Sequence, residues 1–336
     1  MPVKDFVRAR GPPDGARGVP AACGAPGGLR WTPRLRHDAA MTEPASHGAL
    51  AVGLAGAGPW AAKAYAPMLA AGPETRLAAV WARRTEAARA LAGAHGAEAV
   101  ATFDALLERC AAVAFAVPPD VQAALATRAA RAGRHLMLDK PLALSLEAAR
   151  AVAREVEAAG VVTQLMLTHR YRSRTAAFLE AARGFAAIGA RLAFLSGAFL
   201  RGPYATPWRL EHGALHDLGP HALDLLDAAL GPVVEVTGRG DSRGWVSLVL
   251  THAGGAVSEA ALSGVMRLPH TVFRVELYGP AGALEFDAVA ASAEDPWPTV
   301  RRTFVEAVRA GRPPALDVRR GVALQELIER ARAALG

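Results

Sequence analysis

The chain has 336 residues, which is long enough for two domains that each bury a core of their own. Its 52% apolar and 21% charged residues are typical of a globular protein, and no apolar run is both long and unbroken enough to span a membrane. The net charge of +7 is a poor argument for a nucleic-acid partner, because residues 1–40 carry +4 of it and no nucleic-acid-reading motif is recognisable.

Residues 1–46 are predicted to form a disordered tail. They are rich in Gly, Pro, Ala and Arg, show no apolar periodicity, and so cannot bury enough surface to order themselves. Met41 is a candidate for the true translation start. The tail lacks the apolar stretch of a secretory signal, and Cys23 and Cys110 offer neither a disulfide framework nor a metal spacing. We therefore expect a cytoplasmic protein.

Residues 47–165 alternate between short apolar strands and amphipathic helices. This pattern predicts a parallel sheet covered on both faces, which is a doubly wound α/β domain of the Rossmann type. Thr102 and Ser145 are predicted helix N-caps. The strands are predicted at 50–55, 76–81, 111–117, 135–138 and 161–167, and the helices at 60–71, 85–94, 102–110, 120–132 and 145–159.

Residues 166–336 are predicted to form a second α/β domain with a different order of strands and helices. Most of its strands are joined by Gly-containing turns with few helices between them, which favours an open, largely antiparallel sheet. Its strands are predicted at 191–200, 233–238, 245–251, 256–262, 272–278 and 283–286, and helices at 220–230, 300–310 and 319–335.

The first strand is followed by a glycine-rich turn of the form G-x-G-x-x-A, with Gly56, Gly58 and Ala61 at the fixed positions. Gly56 permits a tight turn, Gly58 lets the backbone approach a pyrophosphate, and Ala61 lets the next helix pack near the strand. Pro59 and Trp60 lead into that helix, whose free N–H groups favour phosphate. Because the turn opens the first βαβ unit, we predict that it binds a nicotinamide dinucleotide.

The second strand ends in Ala82, Arg83 and Arg84, where a site that prefers NAD usually has an acidic residue for the ribose hydroxyls. An arginine can instead hold a 2′-phosphate through two hydrogen bonds. The pattern favours NADP over NAD, with NAD left open. The alternative is that both arginines are solvated residues before a helix.

Asp139, Lys140 and Pro141 follow the strand at 135–138. Ligands of open α/β sheets bind outside the carboxyl ends of the strands, so Lys140 stands where a reacting group belongs. A partly buried lysine beside a positively charged nicotinamide ring has reason for a lowered pKa, which suits proton exchange with a substrate hydroxyl. The alternative is a surface charge at the end of a strand.

Asp217 and His221 are four residues apart, and a helix is predicted to begin between them at Pro220. Asp217 is then in the turn before the helix and His221 in its first turn, so both can point into one cleft. Asp224, one turn further, either orients His221 or caps the core-facing side. His221 could otherwise be a core residue. A metal site is a further alternative, although its three histidines share no helical face: His212, His216 and His221.

Six motifs occur in a fixed order: GLAGAGPWA at 53–61, AVPPD at 116–120, DKP at 139–141, PWR at 207–209, GALHDLGPHALD at 213–224 and ELYGPAGALEF at 276–286. With them the chain resembles the glucose–fructose oxidoreductase/inositol dehydrogenase (Gfo/Idh/MocA) family over residues 50–335. The resemblance implies hydride transfer between NAD(P) and a carbinol carbon of a sugar, polyol or related compound. It also implies a homo-oligomer, a dimer or tetramer, formed through the open sheet of the second domain.

The resemblance implies roles for particular residues of this chain. Lys140, Asp217 and His221 are expected to be catalytic, and no metal is expected. Pro118, Asp139 and Lys140 are expected to join the glycine turn and the two arginines in binding the cofactor. The substrate is expected to contact the catalytic group and three further residues, Arg170, Trp208 and Arg209.

The chain departs from the family pattern at three places. Asp139 replaces the usual Glu, which shortens the side chain by one methylene. Gln122 stands where members often have His, so a contact near the nicotinamide can differ. The run Thr168-His169-Arg170-Tyr171 replaces a stretch that is commonly rich in Asn and Arg, which leaves the sugar-binding groups open.

Three functions are therefore considered. The first is a dehydrogenase or ketoreductase for a sugar or cyclitol. The second is redox-assisted epimerisation or glycoside cleavage with tightly held cofactor. The third is a regulatory subunit that senses the cofactor without turnover, and the retention of Lys140, Asp217 and His221 argues against it. A small-molecule substrate is expected in the first two cases, with no nucleic-acid or membrane partner.

Overall fold

The computed structural model describes residues 9–10 and 48–336 of the chain. The predicted disordered tail and the candidate start at Met41 lie outside the described residues, with one exception inside the tail. That exception is the two-residue strand β1 (Ala9–Arg10), whose backbone pairs antiparallel with residues 283 and 284. This short piece therefore belongs to the edge of a sheet.

The first sheet holds six strands in the order β4-β3-β2-β5-β6-β7, and every neighbouring pair is parallel. The strand order reverses between β2 and β5, which opens a crevice at their carboxyl ends where doubly wound sheets bind ligands. The predicted Rossmann-type sheet is confirmed. Its strands are β2 (Leu50–Ala55), β3 (Thr75–Trp81), β4 (Glu98–Ala99), β5 (Ala112–Phe115), β6 (His135–Leu138) and β7 (Thr163–Leu165).

Helices cover this sheet, and both predicted caps are present. The Thr102 hydroxyl accepts a hydrogen bond from the Ala105 N–H at 3.1 Å, and the Ser145 hydroxyl accepts one from the Ala148 N–H at 3.1 Å. The helix after the glycine turn begins as a π-helical turn, Ala61–Tyr65. The α-helices are α1 (Ala66–Ala70), α2 (Thr85–Ala94), α3 (Phe103–Glu108), α4 (Pro119–Arg131) and α5 (Leu146–Ala159).

The second sheet has seven strands in the order β1-β13-β12-β8-β11-β10-β9. Only β8 and β11 pair in parallel, so the prediction of a largely antiparallel sheet is confirmed. Buried and exposed side chains alternate along β-strands of this sheet, so one face packs into the core and the other is exposed. The strands after β1 are β8 (Gly189–Leu195), β9 (Val233–Gly240), β10 (Val246–His252), β11 (Val257–Ser263), β12 (Val272–Gly279) and β13 (Gly282–Asp287).

Six helices accompany the second sheet, and two of them carry residues 213–224 to the crevice. They are α6 (Ser173–Arg183), α7 (Pro207–Asp217), α8 (Gly219–Leu230), α9 (Ala288–Ala291), α10 (Trp297–Ala310) and α11 (Val318–Ala334). The sequence did not predict α6, α7 or α9, and α7 bends at Gly213 (φ 71°, ψ −162°). Asp217 is therefore the last residue of a helix rather than part of a longer turn.

The last two helices return to the first domain. Val300 and Phe304 of α10 are fully buried in one cluster with Val52 and Leu54 of β2. α11 packs against α5 on the other side of the same sheet. Within residues 48–336, no helix has both the length and the apolar character needed to cross a membrane.

Candidate active site

The glycine turn is tight enough to require glycine at its first position. Gly56 has φ +121°, and its N–H donates to the Trp81 carbonyl at 2.8 Å, which ties the turn to β3. A Cβ on Gly56 would lie 2.3 Å from the Ala116 carbonyl oxygen. Any side chain here would therefore push apart the ends of β2 and β5.

Gly58 differs from Gly56 because it faces open space. A Cβ placed on it would meet no protein atom within 4 Å, because the residue faces an open cavity. Pro59 and Trp60 line the same cavity, and Trp60 caps the helix with no side-chain hydrogen bond, which leaves the helix N–H groups free for a ligand. Ala61 is fully buried against the strand. The turn thus fits a dinucleotide pyrophosphate.

Three cavities follow one another along the crevice and share lining residues. The first, about 440 Å³, lies beside Gly56, Arg83, Arg84 and Pro118. The second, about 670 Å³, shares Pro118 and both arginines with it and reaches Lys140. The third, about 220 Å³, lies beyond Lys140. The predicted cofactor and catalytic residues therefore line one continuous cleft.

Arg83 and Arg84 stand at the outer end of this cleft. Both side chains are exposed, and neither forms an ion pair with a carboxylate of the described residues. No acidic residue lines the first cavity. This end of the cleft is therefore positively charged and open to an anion.

Lys140 is held by Asp217. The Lys140 Nζ donates to the Oδ1 and to the backbone carbonyl of Asp217, both at 2.8 Å. Arg209 Nε donates to the same Oδ1 at 3.1 Å. The side chains of Lys140, Asp217 and Arg209 are only 14%, 10% and 17% exposed. The Asp217 carboxylate thus links the Rossmann domain to α7 and holds the side chains of Lys140 and Arg209 in the cleft.

The two carboxylates beside Lys140 have opposite pKa shifts. Burial alone would raise the pKa of Asp217, but the charges of Lys140 and Arg209 outweigh it and lower that pKa. Burial raises the pKa of Asp139 to about 6, although Lys140 opposes the shift. Asp139 also accepts the Lys140 backbone N–H at 2.7 Å. Asp139 thus holds the backbone of Lys140, whereas Asp217 holds its ammonium group.

Gln122 supports the same loop, although the sequence analysis singled it out only as a departure. Its buried amide Nε2 donates to the carbonyls of Asp139 at 2.9 Å and Leu142 at 3.0 Å, and its Oε1 accepts the Asp139 N–H at 2.8 Å. Gln122 therefore braces the backbone on both sides of Lys140. The partners lie 17 and 20 residues away, so no local pattern could reveal them.

His221 lines the third cavity together with Lys140 and Asp217. Burial, followed by the charge of Lys140, lowers the pKa of His221 well below its usual value, so the imidazole is neutral. No described residue forms a hydrogen bond with its ring nitrogens, and neither nitrogen is sealed from the cavity. His221 is thus free to exchange a proton with a ligand, but it does not contact Asp217 through a hydrogen bond.

Other predicted residues are placed differently. Trp208 and Arg209 line the second cavity, and the Arg209 guanidinium lies 4.5 Å from the Trp208 ring centre. Arg170 does not line any of the three cavities, because its guanidinium binds Asp224 at 2.8 Å. Asp224 also accepts from Arg320 at 2.7 Å, so it neither orients His221 nor forms a helix cap.

The three histidines proposed as an alternative metal site do not converge. The rings of His212 and His216 are 5.1 Å apart, whereas His221 lies edge-on to His169. Burial lowers the pKa of His216 to about 4. The described part of the chain contains no group of three or more metal-ligating side chains.

The fold and the cleft define a protein with a dinucleotide-binding Rossmann domain. The family model "Oxidoreductase family, NAD-binding Rossmann fold" (GFO_IDH_MocA) matches residues 50–167, and the GFO/IDH/MocA C-terminal domain matches residues 186–285. The chain belongs to this family, as the sequence motifs predicted, and a nicotinamide dinucleotide is its cofactor.

Two relatives carry the same name, dTDP-3,4-didehydro-2,6-dideoxy-alpha-D-glucose 3-reductase. The protein of Streptomyces violaceoruber is 36% identical over 198 residues, which is 56% of this chain and 57% of that relative. The protein of Streptomyces antibioticus is 30% identical over 272 residues, 75% of this chain and 79% of the relative. The chain thus matches little more than half the length of the first of these proteins.

Solved structures share the fold. GenD2 from gentamicin A biosynthesis, in complex with NAD, has a TM-score of 0.76 and 23% identity, covering 88% of this chain and 97% of its own. UDP-N-acetylglucosamine 3-dehydrogenase GnnA from Acidithiobacillus ferrooxidans has a TM-score of 0.76 and 22% identity, covering 85% and 98%. At this identity the likeness concerns the fold.

Proposed function

We propose that the protein is an NAD(P)-dependent dehydrogenase or reductase that acts on a CH–OH or keto carbon of a sugar, cyclitol or related polyol. The observation that carries this proposal is the third cavity, where Lys140 and a neutral His221 face one space next to the cofactor cleft. When bound, the dinucleotide supplies or accepts the hydride. The named relatives are sugar reductases and dehydrogenases, which supports the substrate class.

The residues divide the remaining work. Lys140 donates a hydrogen bond to the reacting oxygen and stabilises negative charge that develops there. His221 gives or takes the proton of that oxygen, for which its neutral state is suited. Asp217 orients Lys140 through the two contacts at 2.8 Å, and Arg209 lies on the same carboxylate. Asp217 therefore acts on the lysine and not on the histidine.

The test is a screen of sugars, cyclitols and keto-sugars with NAD(H) and NADP(H), followed by nicotinamide absorbance. We expect one stereochemically defined compound to be oxidised or reduced at a single carbon. Binding of cofactor without turnover of any compound would favour the alternative of a regulatory protein that senses the cofactor. A cofactor retained through purification, with product formed but no net nicotinamide change, would favour redox-assisted epimerisation or glycoside cleavage.

A sugar linked to a nucleoside diphosphate is the second candidate substrate. The names of the relatives suggest it, and the mouth of the second cavity offers aromatic rings beside cations. Arg209 lies 5.7 Å and Lys63 lies 5.9 Å from the Tyr204 ring centre. Free dTDP or UDP should then inhibit turnover by competing with the substrate. If the substrate is a simple sugar, neither nucleotide should change the rate of turnover.

NADP is proposed as the preferred cofactor, because Arg83 and Arg84 are exposed at the end of the cleft and no acidic residue lines that cavity. A 2′-phosphate would find a positively charged site there. We further propose that the protein forms a homo-oligomer through the exposed face of the second sheet. We also propose a cytoplasmic location, which the cysteine usage suggests.

A further inference from the structure

Gln325 is a polar side chain on the buried face of α11, where its neighbours are Leu324, Leu327 and Ile328. It is only 1% exposed. Neither its amide Nε2 nor its Oε1 forms a hydrogen bond with a described residue. A buried amide without a partner loses its bonds to water and gains nothing in return, so native proteins seldom keep one. The Gln325 amide therefore needs a partner that is not a protein group.

A small cavity, which we call the rear cavity, lies between Gln325 of α11, Pro220 of α8 and the loop segment Lys140, Pro141 and Leu142. It offers about 10 Å³ to the centre of a water-sized sphere, which is room for one water molecule. Among the described residues that line it, only Gln325 and Lys140 have polar side chains. A cavity that is purely apolar stays dry, whereas one beside an unsatisfied polar group holds water.

The rear cavity lies on the other side of Lys140 from the space in which the substrate would react. Of the residues that line the third cavity, Lys140 alone also lines the rear cavity. Its ammonium group is turned to Asp217, with two contacts at 2.8 Å. The polar part of Lys140 that is left for the rear cavity is its backbone.

The carbonyl groups of this loop differ in their partners. Gln122 Nε2 donates to the carbonyl oxygens of Asp139 at 2.9 Å, Pro141 at 3.3 Å and Leu142 at 3.0 Å. The Lys140 carbonyl between them accepts no hydrogen bond from a described residue. The unbound carbonyl of the loop thus belongs to the residue that shares the rear cavity with the unbound amide.

We infer that one buried water molecule occupies the rear cavity and bridges Gln325 to Lys140. The water accepts a hydrogen bond from Gln325 Nε2 and donates one to the Lys140 carbonyl oxygen. Nε2 faces the water because a buried N–H without an acceptor is less tolerated than a buried carbonyl without a donor.

The bridge makes Gln325 a positioning residue for Lys140. Gln122 holds three carbonyls of the loop directly, and Gln325 holds the fourth through the water. A reacting group that is misplaced by a fraction of the length of a bond loses rate, so both holds bear on the lysine. The water site stands on the geometry, while its importance for turnover rests on the proposed function of Lys140.

The first experiment is a crystal structure of the full-length protein with NADP. It should show a water in the rear cavity at about 2.7–3.2 Å from both Gln325 Nε2 and the Lys140 carbonyl oxygen. The same crystals of Gln325→Met should lack this water, because the methionine fills its place. An empty rear cavity in the wild-type protein, or a Gln325 amide bonded to a protein group, would overturn the inference.

The second experiment separates positioning from packing on a confirmed substrate. Gln325→Met replaces an amide and a water by apolar atoms of similar volume, so the melting temperature should not fall. Its kcat should fall about three- to thirtyfold, because the loop loses one of its holds, while KM and the cofactor Kd stay within twofold. Leu327→Met is the control, since Leu327 is buried in the same helix but does not line the rear cavity. Equal kcat values for the two variants would refute the positioning role, and so would a kcat loss accompanied by a lower melting temperature and weaker cofactor binding.

The third experiment does not require turnover. The chain has three lysines, Lys4, Lys63 and Lys140, so protein labelled with ¹³C,¹⁵N-lysine gives three sets of side-chain resonances. The set that is lost in Lys140→Arg reports on Lys140. It should move in Gln325→Met and keep its wild-type position in Leu327→Met, and an unmoved signal in both would contradict the bridge. If no compound is turned over but the water is seen and the Lys140 signal moves, the proposed function fails while the water site and its hold on Lys140 stand.

Discussion

At the scale of single residues, the cleft is organised around the carboxylate of Asp217. This carboxylate contacts Lys140 and Arg209, which come from different domains, and all three side chains are largely buried. Its lowered pKa means that it stays charged through the neutral range. A buried carboxylate paired with two cations is costly to break, because removing it leaves uncompensated charges. The position of Lys140 is therefore set by the fold, and not by the ligand.

The proton-transfer assignment predicts the effect of two substitutions. Lys140→Ala and His221→Ala should each lower kcat at least about a hundredfold, because general acid–base groups contribute roughly 10²–10⁴. The cofactor Kd, measured by calorimetry, should change little in either variant. His270→Ala replaces an exposed histidine far along the chain and serves as the control. Rates within a fewfold of wild type for both variants would refute the assignment.

The proposed preference for NADP predicts the effect of replacing Arg83. Losing a charge-assisted contact to a 2′-phosphate costs on the order of 1.5–3 kcal/mol, so Arg83→Ala should weaken NADP binding about tenfold or more. NAD binding should be nearly unchanged. Arg89→Ala removes an exposed arginine of α2, the helix that follows Arg83. Arg89 lines no part of the cleft, so the variant should bind both cofactors as wild type does. Equal wild-type affinities for the two cofactors would mean that Arg83 faces solvent.

At the scale of secondary-structure elements, two glycines of the glycine turn are expected to have different roles, Gly56 in folding and Gly58 in binding. A side chain on Gly56 would collide with the Ala116 carbonyl, whereas one on Gly58 would enter open space. Gly58→Val should therefore fold normally and lose dinucleotide binding, because the valine occupies the place of the pyrophosphate. Gly56→Ala should lower the melting temperature as well.

Gly93→Val is a matched control for this prediction. Gly93 is exposed in α2, and a Cβ there also meets no atom within 4 Å. Its variant should bind the dinucleotide as wild type does. Calorimetry that found wild-type affinity in Gly58→Val would show that the ligand does not approach this turn.

Local patterns predicted the elements whose causes are local. The strand, glycine turn and helix at 50–71 follow from a short apolar run and the glycines beside it, and the cap at Ser145 was recognisable from its own segment. The whole Rossmann order then follows from alternation of strands and helices. Lys140, Asp217 and His221 were each identified by sequence, and the structure brings them to one cavity.

The elements that sequence missed depend on contacts from far along the chain. α7 bends at Gly213, where the Ser242 carbonyl accepts the Ala214 N–H at 2.7 Å and the Ser242 hydroxyl accepts the Leu215 N–H at 3.1 Å. No window around α7 contains Ser242. The ion pair of Arg170 with Asp224 spans 54 residues, so no local pattern could show that the Arg170 guanidinium is bound there and does not reach the substrate.

At the scale of the whole molecule, the exposed face of the second sheet is the proposed contact between subunits. Its side chains alternate with the buried ones, so that Val249 is 44% and Val257 43% exposed on neighbouring strands. Arg191 and Glu259 form an ion pair on the same face at 3.1 Å. The face therefore carries exposed valines beside ion-paired charges, and a partner subunit would cover both.

A new charge on the exposed side of β10 should change the assembly state. Val249→Glu should shift the molecular mass measured by light scattering from an oligomer to a monomer, because a buried unpaired carboxylate is strongly unfavourable. Val289→Glu, on an exposed residue of α9, is the control and should leave the mass unchanged. A wild-type protein that is monomeric at high concentration would exclude the proposed interface.

Buried histidines should make the stability of the whole molecule fall in mild acid. His216 is only 3% exposed, its Nδ1 has no partner, and burial lowers its pKa from 6.5 to about 4. Because the folded-state pKa is below the unfolded one, the unfolded chain binds the proton more readily. The stabilising contribution is complete above pH 6.5 and is lost progressively as the pH falls from 6.5 towards 4.

This loss has a predictable size and a specific origin. One pKa unit corresponds to about 1.4 kcal/mol, so His216 alone should remove up to about 2 kcal/mol of unfolding free energy between pH 7 and pH 5. His216→Gln has no group that titrates in this range, and its stability curve should be flatter by that amount. His270→Gln, at an exposed position, should follow the wild-type curve. Urea unfolding of the three proteins at both pH values measures the difference, and parallel curves for wild type and His216→Gln would show that water or a rearranged helix solvates His216.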